Sequence, residues 1–496
     1  LSVPQDEFGD FQTPLPLATQ CLRVLGLPDD ARVLEPTCGR GAFLEAAAAL
    51  SPASERLGLE RHPAYVEEAS RWGEVREANV FEVAFGDLPW RTQGPLVVVG
   101  NPPWVTSAAL ARLGSDNLPV KSNRRGARGI DALLGSSNFD VCEYVIEKIL
   151  TEHRGEPMSL GMLCKTQVAR NLLAYAAASG LPVTDSAVYR VDSTRWFGAN
   201  VDACWLVMRL DPGATPRYVT SVWDDVFAPH ATPSRRFGVV DGLLVADVDR
   251  YSSVREGDGI CPYEWRSGLK HDAAAVFELV AASGPTTRDG RVLEVESEYL
   301  LPLLKSTDVF RGRHRELSRW VIVPQRTFGE ETASLEQRAP RLWAYLLSHA
   351  RVLDARRSSI YRNRPRFTVF GHGEYTYAPY KVAVSGLHEQ PVFRLVAPLA
   401  DRPVVLDDTC YFLPFSDPTE AALVTAALNS KGCRDLIESL VFWDAKRPIT
   451  KRLLSRLDLR RLPHDRDDLL ARAAGLAREA GLGWDDEWAS GLLRGW

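Results

Sequence analysis

Leu34-Glu-Pro-Thr-Cys-Gly-Arg-Gly-Ala-Phe-Leu44 reads as the end of a strand, a glycine turn and the start of a helix. Arg32-Val-Leu-Glu35 supplies the strand, and the stretch from Gly41 to Leu50 is dense in strong helix formers. Glycines at such a turn let the backbone approach a ligand closely, while the helix N-terminus presents free N–H groups. Gly39-Arg40-Gly41 lacks the third glycine of the dinucleotide fingerprint, so an ordinary strand-to-helix turn would use the same residues. Working outward, Leu57–Glu60 is a second strand, followed by a helix around Ala64–Trp72. Pro95-Leu-Val-Val-Val-Gly100 is a continuous apolar run of the kind a fully buried parallel strand needs. Leu160–Leu163, Ala187–Val191 and Ala203–Leu210 add strands, and Val141–Leu150 adds a helix. Strands alternating with helices imply an α/β fold with a mostly parallel sheet and helices on both faces.

Two positions downstream of the glycine turn carry chemistry. Glu60 ends the second strand, where a carboxylate can hold both hydroxyls of a ribose or can simply be solvated. Asn101-Pro102-Pro103-Trp104 follows the buried strand. Two prolines fix φ at consecutive residues and remove two N–H donors, leaving a stiff loop of outward carbonyls. An Asn side-chain oxygen beside a backbone carbonyl offers two acceptors to one exocyclic –NH2, and Trp104 offers a face for stacking. A rigid turn with a core Trp is the alternative.

The chain has 496 residues, 45% hydrophobic and 25% charged, which suits two to three globular domains. No apolar run approaches the ~18–20 residues of a membrane span, and no signal peptide is visible at Leu1–Phe8. The eight cysteines are scattered without CxxC or Cys/His spacing, so neither a metal site nor a disulfide framework is expected, and a cytoplasmic location is. The net charge of −5 hides a segregation. Residues 1–100 carry 8 Lys/Arg and 15 Asp/Glu, whereas residues 301–400 carry 16 and 8. That asymmetry is expected when one part does chemistry and another meets a polyanion. Composition divides the chain into residues 1–212 (catalytic), 213–260 (a Pro/Gly/Asp-rich connector), 261–465 (basic, mixed α+β) and 466–496 (a helical tail).

On these motifs the chain resembles the S-adenosylmethionine-dependent amino-methyltransferases, most closely the N6-adenine DNA methyltransferases of the gamma class, found in restriction–modification and related phage-defence systems. Phe8-Gly-Asp-Phe11-Gln-Thr13-Pro14 resembles the family segment lining the methionine end of the cofactor site. Glu35, Pro36, Cys38, Gly39, Gly41 and Phe43 match its cofactor loop, with Glu60 and Arg61 at the ribose. Asn79-Val80-Phe81 resembles the Asp-x-Phe that reads the cofactor adenine, with Asn in place of Asp, which can still hydrogen-bond. Asn101–Trp104 matches the catalytic motif, Asn101 also bordering the cofactor. Phe197, in Phe197-Gly-Ala-Asn-Val-Asp-Ala-Cys204, matches the aromatic that packs on the flipped base; a core aromatic is the alternative. The resemblance implies a Rossmann-like class I methyltransferase domain followed by a target-recognition domain, with base flipping and no metal.

The basic half fits a reader of double-stranded DNA. Arg356-Arg357-Ser-Ser-Ile-Tyr-Arg362-Asn-Arg364-Pro-Arg366-Phe367 sets five arginines among Ser, Asn and aromatics, as phosphate and base-edge contacts require, although basic runs also occur as solvated faces. Lys270, Lys305, Lys381, Lys446, Arg447 and Lys451 continue that character. Asp407-Asp408 could suggest a metal, but a turn into a strand accounts for them. No nuclease centre is visible, so a separate nuclease or other defence-system subunits are candidate partners. The competing readings are methylation of RNA adenine or DNA cytosine N4, and a non-catalytic DNA-recognition subunit.

Overall fold

The computed structural model describes residues 11–105, 140–327 and 329–496. Phe8, Gly9 and Asp10 of the first motif lie outside the described residues. The chain divides into two compact units, one up to Asp249 and one from Arg250 onward.

The first unit is built on ten strands: β1 (Arg32–Glu35), β2 (Glu55–Glu60), β3 (Glu74–Glu77), β4 (Leu96–Gly100), β5 (Met158–Lys165), β6 (Val183–Val191), β7 (Ala203–Leu210), β8 (Val219–Trp223), β9 (Arg235–Val240) and β10 (Leu243–Val245). They form one sheet in the order β10-β9-β8-β6-β7-β5-β4-β1-β2-β3. From β3 to β5 the pairings are all parallel. The helices α1 (Leu15–Leu25), α2 (Ala42–Leu50), α3 (Pro63–Ala69), α4 (Val141–Glu152) and α5 (Thr166–Ser179) alternate with these strands. This is the Rossmann-like α/β arrangement expected from the alternation.

Strand order reverses between β1 and β4, which are neighbours, and ligands of open α/β sheets bind at the carboxyl ends of strands at such a point. The glycine turn follows β1 and Asn101–Trp104 follows β4, so topology alone brings the two motifs to one edge. All five residues of β4 are buried, as its unbroken apolar run requires.

β7 runs antiparallel to both β5 and β6. Its link from β6 holds only the five-residue helix α6 (Ser193–Phe197), and a parallel crossover needs about a dozen residues or more. Trp205 on β7 lies across β5, where a Cβ at Gly161 would come within 2.3 Å of its ring. On its other side Trp205 stacks on Phe43 of α2, 5.5 Å between centroids and 11° between planes.

The 213–260 segment, expected as a connector, contributes β8, β9 and β10 to the same sheet. Its turn residues punctuate strands rather than loosen a linker. Asp241-Gly242 have φ of 49° and 78°, which makes the two-residue hairpin between β9 and β10.

The second unit has β11 (Arg266–Ser267), β12 (Glu278–Ala281), β13 (Pro285–Thr286), β14 (Leu300–Leu304), β15 (Arg319–Ile322), β16 (Tyr380–Ser385), β17 (Phe393–Val396), β18 (Val405–Leu406) and β19 (Cys410–Phe415). Four of these make an antiparallel sheet, β11-β19-β16-β17, and five make β13-β12-β15-β14-β18. Helices Arg466–Glu479 and Asp486–Arg494 occupy the expected tail and pack on helix Pro418–Leu428. All eight cysteines are buried and free, and among the described residues no helix is long and apolar enough to cross a membrane.

Candidate active site

The glycine turn is held from below by Glu35. Its Oε2 accepts the Leu44 N–H at 3.2 Å, so a buried carboxylate caps the first turn of α2. Burial pushes the Glu35 carboxyl well above the usual carboxylate range, and the nearby Glu60 adds to this against the Leu44 hydrogen bond. Pro36 and Cys38 are also buried, and burial, reinforced by Glu35 and Glu60, pushes the Cys38 thiol up and keeps it un-ionised. Gly39 has φ 51°, and a Cβ there would come within 2.6 Å of Gln12 Oε1. That same oxygen accepts the Arg40 N–H at 3.1 Å, closing the turn over Gln12. Gly41, at φ 86°, is the N-cap of α2. Thr37 Oγ1, in the middle of the turn, is buried without a hydrogen-bond partner.

Glu60 crosses from β2 to the turn. Its carboxylate accepts the N–H groups of Gly39, Arg61 and His62, each at 2.8 Å. A carboxylate has about four lone-pair positions, so capacity remains for a hydroxyl. Arg61 takes part through its backbone, its side chain being exposed. Phe43 is fully buried and stacked on Trp205, so its ring braces α2 and is not presented to the turn. Past β3, Asn79 Oδ1 accepts the Phe81 N–H at 3.3 Å and Asn79 Nδ2 donates to Glu82 Oε1 at 2.8 Å. Val80 is nearly buried, and Phe81 meets Tyr144 edge-on at 5.6 Å.

Asn101 sits at the end of β4. Its Nδ2 donates to the Phe11 carbonyl at 3.0 Å, which fixes the amide orientation. Its Oδ1 is then left buried with no hydrogen-bond partner. Pro102 is buried and Pro103 half-buried. Trp104 is 7% exposed and its Nε1 donates to the Leu163 carbonyl at 3.3 Å. Three aromatics from separate motifs meet here: Phe11–Trp104 at 5.7 Å, Phe11–Phe197 at 6.0 Å and Trp104–Phe197 at 5.2 Å, the last edge-to-face. Phe11, a candidate cofactor residue by sequence, lies in the aromatic cluster. Thr13 is half-buried, and the Pro14 carbonyl accepts the N–H groups of Leu17 and Ala18 to start α1.

Three participants carry no sequence signal of their own. Gln12 shapes the glycine turn. Lys165 and Asp140 form a 2.8 Å ion pair beside Trp104. Gln12 lies inside a quoted motif, but its contact with the turn depends on the fold.

In the second unit the expected DNA contacts separate into two kinds. Lys381 is a correction: it is 1% exposed within β16, donates to the Ala378 carbonyl at 2.6 Å, and burial brings it down to about 7. Its side chain is buried, with Nζ 5.9 Å from the centre of the Phe412 ring, so it does not reach a phosphate. Arg356 is half-buried, donates to the carbonyls of Leu353, His271 and Thr368, and lies 3.8 Å over the Tyr361 ring. Lys305 and His271 hold the Glu278 carboxylate; burial raises that carboxyl, but the two donors outweigh it and bring it to about 2. Lys270 pairs with Asp272 at 3.8 Å, Arg366 with Asp354 at 2.7 Å and Arg447 with Asp408 at 3.6 Å. Arg357, Arg362, Arg364, Lys446 and Lys451 are exposed. Asp407 Oδ1 accepts from the Thr409 N–H and hydroxyl, the turn into β19 expected for that pair.

No family model matches the chain. It is 35% identical over 470 residues to the Type II methyltransferase M.NspV of Nostoc sp., covering 91% of this chain and 96% of that protein. It is 23% identical over 217 residues to the Type II methyltransferase M.CvrRI of Paramecium bursaria Chlorella virus XZ-6E, covering 42% of this chain and 51% of that one. The structure also matches that of the Type IIL restriction-modification enzyme MmeI in complex with DNA, with a TM-score of 0.52 and 11% identity over 97% of this chain and 69% of that chain.

Proposed function

The chain belongs to the Type II methyltransferases of restriction–modification systems, whose methyl donor is S-adenosylmethionine, and on that premise we propose that it methylates adenine N6 in double-stranded DNA. Asn101 carries the choice of an exocyclic amine as the methyl acceptor. Its Nδ2 is committed to Phe11, and its Oδ1 is a buried acceptor without a donor. Leaving such a group unpaired costs roughly 1–3 kcal/mol, which a substrate –NH2 would recover.

The residues after β1 and β2 fit the cofactor. Gly39 and Gly41 hold the turn at positive φ, the Thr37 hydroxyl is unpartnered, and Glu60 retains acceptor capacity for a ribose. Phe11, Thr13, Pro14, Glu35, Pro36, Cys38, Asn79, Val80 and Phe81 complete the set we assign to it, with Phe43 bracing α2 behind them. S-adenosylmethionine supplies an electrophilic methyl group on a sulfonium. Adenine N6 is a poor nucleophile because its lone pair is delocalised into the ring. Asn101 Oδ1 and the Pro102 carbonyl accept its two hydrogens, favour a pyramidal nitrogen and stabilise the positive charge that grows on it. This is positioning plus electrostatic preorganisation by groups already held in place.

The target atom lies inside a duplex, so the base leaves the stack at a cost of a few kcal/mol. Stacking on aromatics recovers roughly 1–3 kcal/mol, and Phe11, Trp104 and Phe197 supply the rings. The exposed Arg357, Arg362, Arg364, Lys446 and Lys451 are the DNA contacts we assign to the second unit. The methylation would protect host DNA from a separate nuclease. Nucleoside mass spectrometry after incubating the protein and S-adenosylmethionine with DNA or RNA tests this. N6-methyladenine in duplex DNA alone is the expected product; N4-methylcytosine, methylated RNA or no product would overturn it.

A further inference from the structure

The two prolines that stiffen Asn101–Trp104 also remove two of its backbone donors, so the loop has to be anchored through its carbonyls and side chains by partners from elsewhere. The end of β5 provides them. Lys165 Nζ donates to the Trp104 carbonyl at 3.2 Å and to Asp140 Oδ2 at 2.8 Å. Asp140 is itself fixed as the N-cap of α4, its Oδ1 accepting the Cys142 N–H at 3.1 Å. The Val141 N–H donates to the Val105 carbonyl at 2.9 Å, next to the bond that Lys165 makes. Two residues before Lys165, the Leu163 carbonyl takes the Trp104 indole N–H. One residue after it, Thr166 takes hold of Asp202 twice: its N–H donates to the carbonyl at 2.9 Å and its hydroxyl to Oδ2 at 2.7 Å. Asp202 closes the segment that begins at Phe197. Three residues within one short stretch at this strand end, Leu163, Lys165 and Thr166, therefore grip both Trp104 and the segment carrying Phe197.

We propose that Lys165 is a positioning residue for methyl transfer, holding the Trp104 carbonyl so that the loop presents Asn101 Oδ1 and the Pro102 carbonyl in fixed geometry. The inference rests on the reading of that loop as the methyl-acceptor site. Lys165 touches neither substrate nor cofactor in this scheme. Its ammonium acts through the loop, and Asp140 keeps it in place and neutralised. Cofactor binding depends on other residues (the turn after β1 and Glu60), so losing Lys165 should slow transfer without weakening the cofactor.

The test removes the clasp without stranding a charge. Replacing Lys165 alone leaves Asp140, only 13% exposed, without its cation and could unfold the loop for that reason. The decisive variant is therefore the charge-neutral double K165M/D140N, compared with the parent enzyme and with K165R. Single-turnover transfer of labelled methyl from S-adenosylmethionine to unmethylated phage genomic DNA is measured with enzyme in excess, and cofactor affinity by calorimetry. A misplaced reacting group can cost about 100-fold, so the double variant should lose about 10-fold or more in rate while its cofactor Kd stays within about 2-fold. K165R, which still offers N–H donors to both oxygens, should recover most of the loss. A double variant at the parental rate overturns the proposal. So does an equal loss of cofactor affinity, or a double variant that fails to fold, because either makes the pair structural. An inactive parent enzyme would instead overturn the assignment of the site itself.

Discussion

The loops at the carboxyl edge of the first sheet and the arginine-rich segment of the second unit both stand out in the sequence, and the fold uses them differently. At the sheet edge, Phe11, Trp104 and Phe197 are far apart in the chain, yet their rings lie within 6.0 Å of one another. In Arg356–Phe367 the five arginines are adjacent in the chain but do separate things. Arg356 holds three carbonyls, Arg366 pairs with Asp354, and Arg357 and Arg362 are exposed without an ion pair among the described residues. A glycine turn and an Asn-Pro-Pro loop restrict backbone conformation, and so they specify geometry. A cluster of charge specifies only that something nearby is polar, and each long side chain finds its own partner.

The comparison breaks most visibly at Asn101. Asn101→Ala removes the buried acceptor and should reduce methylation by about 100–1,000-fold, the usual effect of deleting one preorganised hydrogen-bonding group. Calorimetry should find the affinity for S-adenosylmethionine little changed. A variant retaining most of its activity would mean that the motif does not do what its pattern implies.

Gly39→Ala probes the other loop. The new Cβ would sit 2.6 Å from Gln12 Oε1 at a φ of 51°, so the turn must shift or carry strain of about 1–3 kcal/mol. Cofactor affinity should fall by about 10-fold, with a smaller change in the rate at saturating cofactor. An unchanged affinity would reduce the glycine turn to an ordinary connection between β1 and α2.

The arginine segment can be sharpened by pairing two variants. Arg357→Ala with Arg362→Ala should weaken DNA binding a few-fold and lower the slope of log K against log salt by about 1–2, with thermal stability unchanged. Arg356→Ala should do the reverse, lowering the melting temperature because three carbonyls lose their donor, with little effect on the salt slope. If Arg356 alone changed the slope, the division into internal and exposed arginines would be wrong.

Most of the first sheet was legible because its strands are either continuous apolar runs, like β4, or end in recognisable turns. What escaped is equally physical. β8–β10 are short and lie between Pro, Gly and Asp residues that mark hairpins as readily as linkers, although Asp241-Gly242 was a hairpin signal in plain sight. The antiparallel β7 follows from an inter-strand link too short for a crossover, a constraint that hydrophobic periodicity does not report. Within the proposed site, Asn101 and Glu60 stand out as sequence patterns. Gln12, Lys165 and Asp140 do not, since each acts through a contact that exists only after folding.

Lys381 shows the limit of reading charge as function, and it predicts a stability effect rather than a binding one. Burial lowers it to about 7 from an ordinary lysine value, so the folded chain binds this proton less readily than the unfolded chain. The stability contributed by the group is therefore complete above the unfolded pKa and is lost progressively as pH falls through the folded value of about 7. Below that the penalty is constant. Lys381→Met keeps the length of the side chain and removes the titration, at the loss of one hydrogen bond to the Ala378 carbonyl. The variant should be more stable than the parent at pH 6, by about 1–3 kcal/mol after that loss, and the gap should shrink as pH rises toward 10. Denaturant melts at pH 6 and pH 9, followed by DNA binding at fixed salt, separate the two roles. Higher stability with unchanged affinity places Lys381 in the core, whereas weaker DNA binding with no pH-dependent gain in stability would return it to the basic surface.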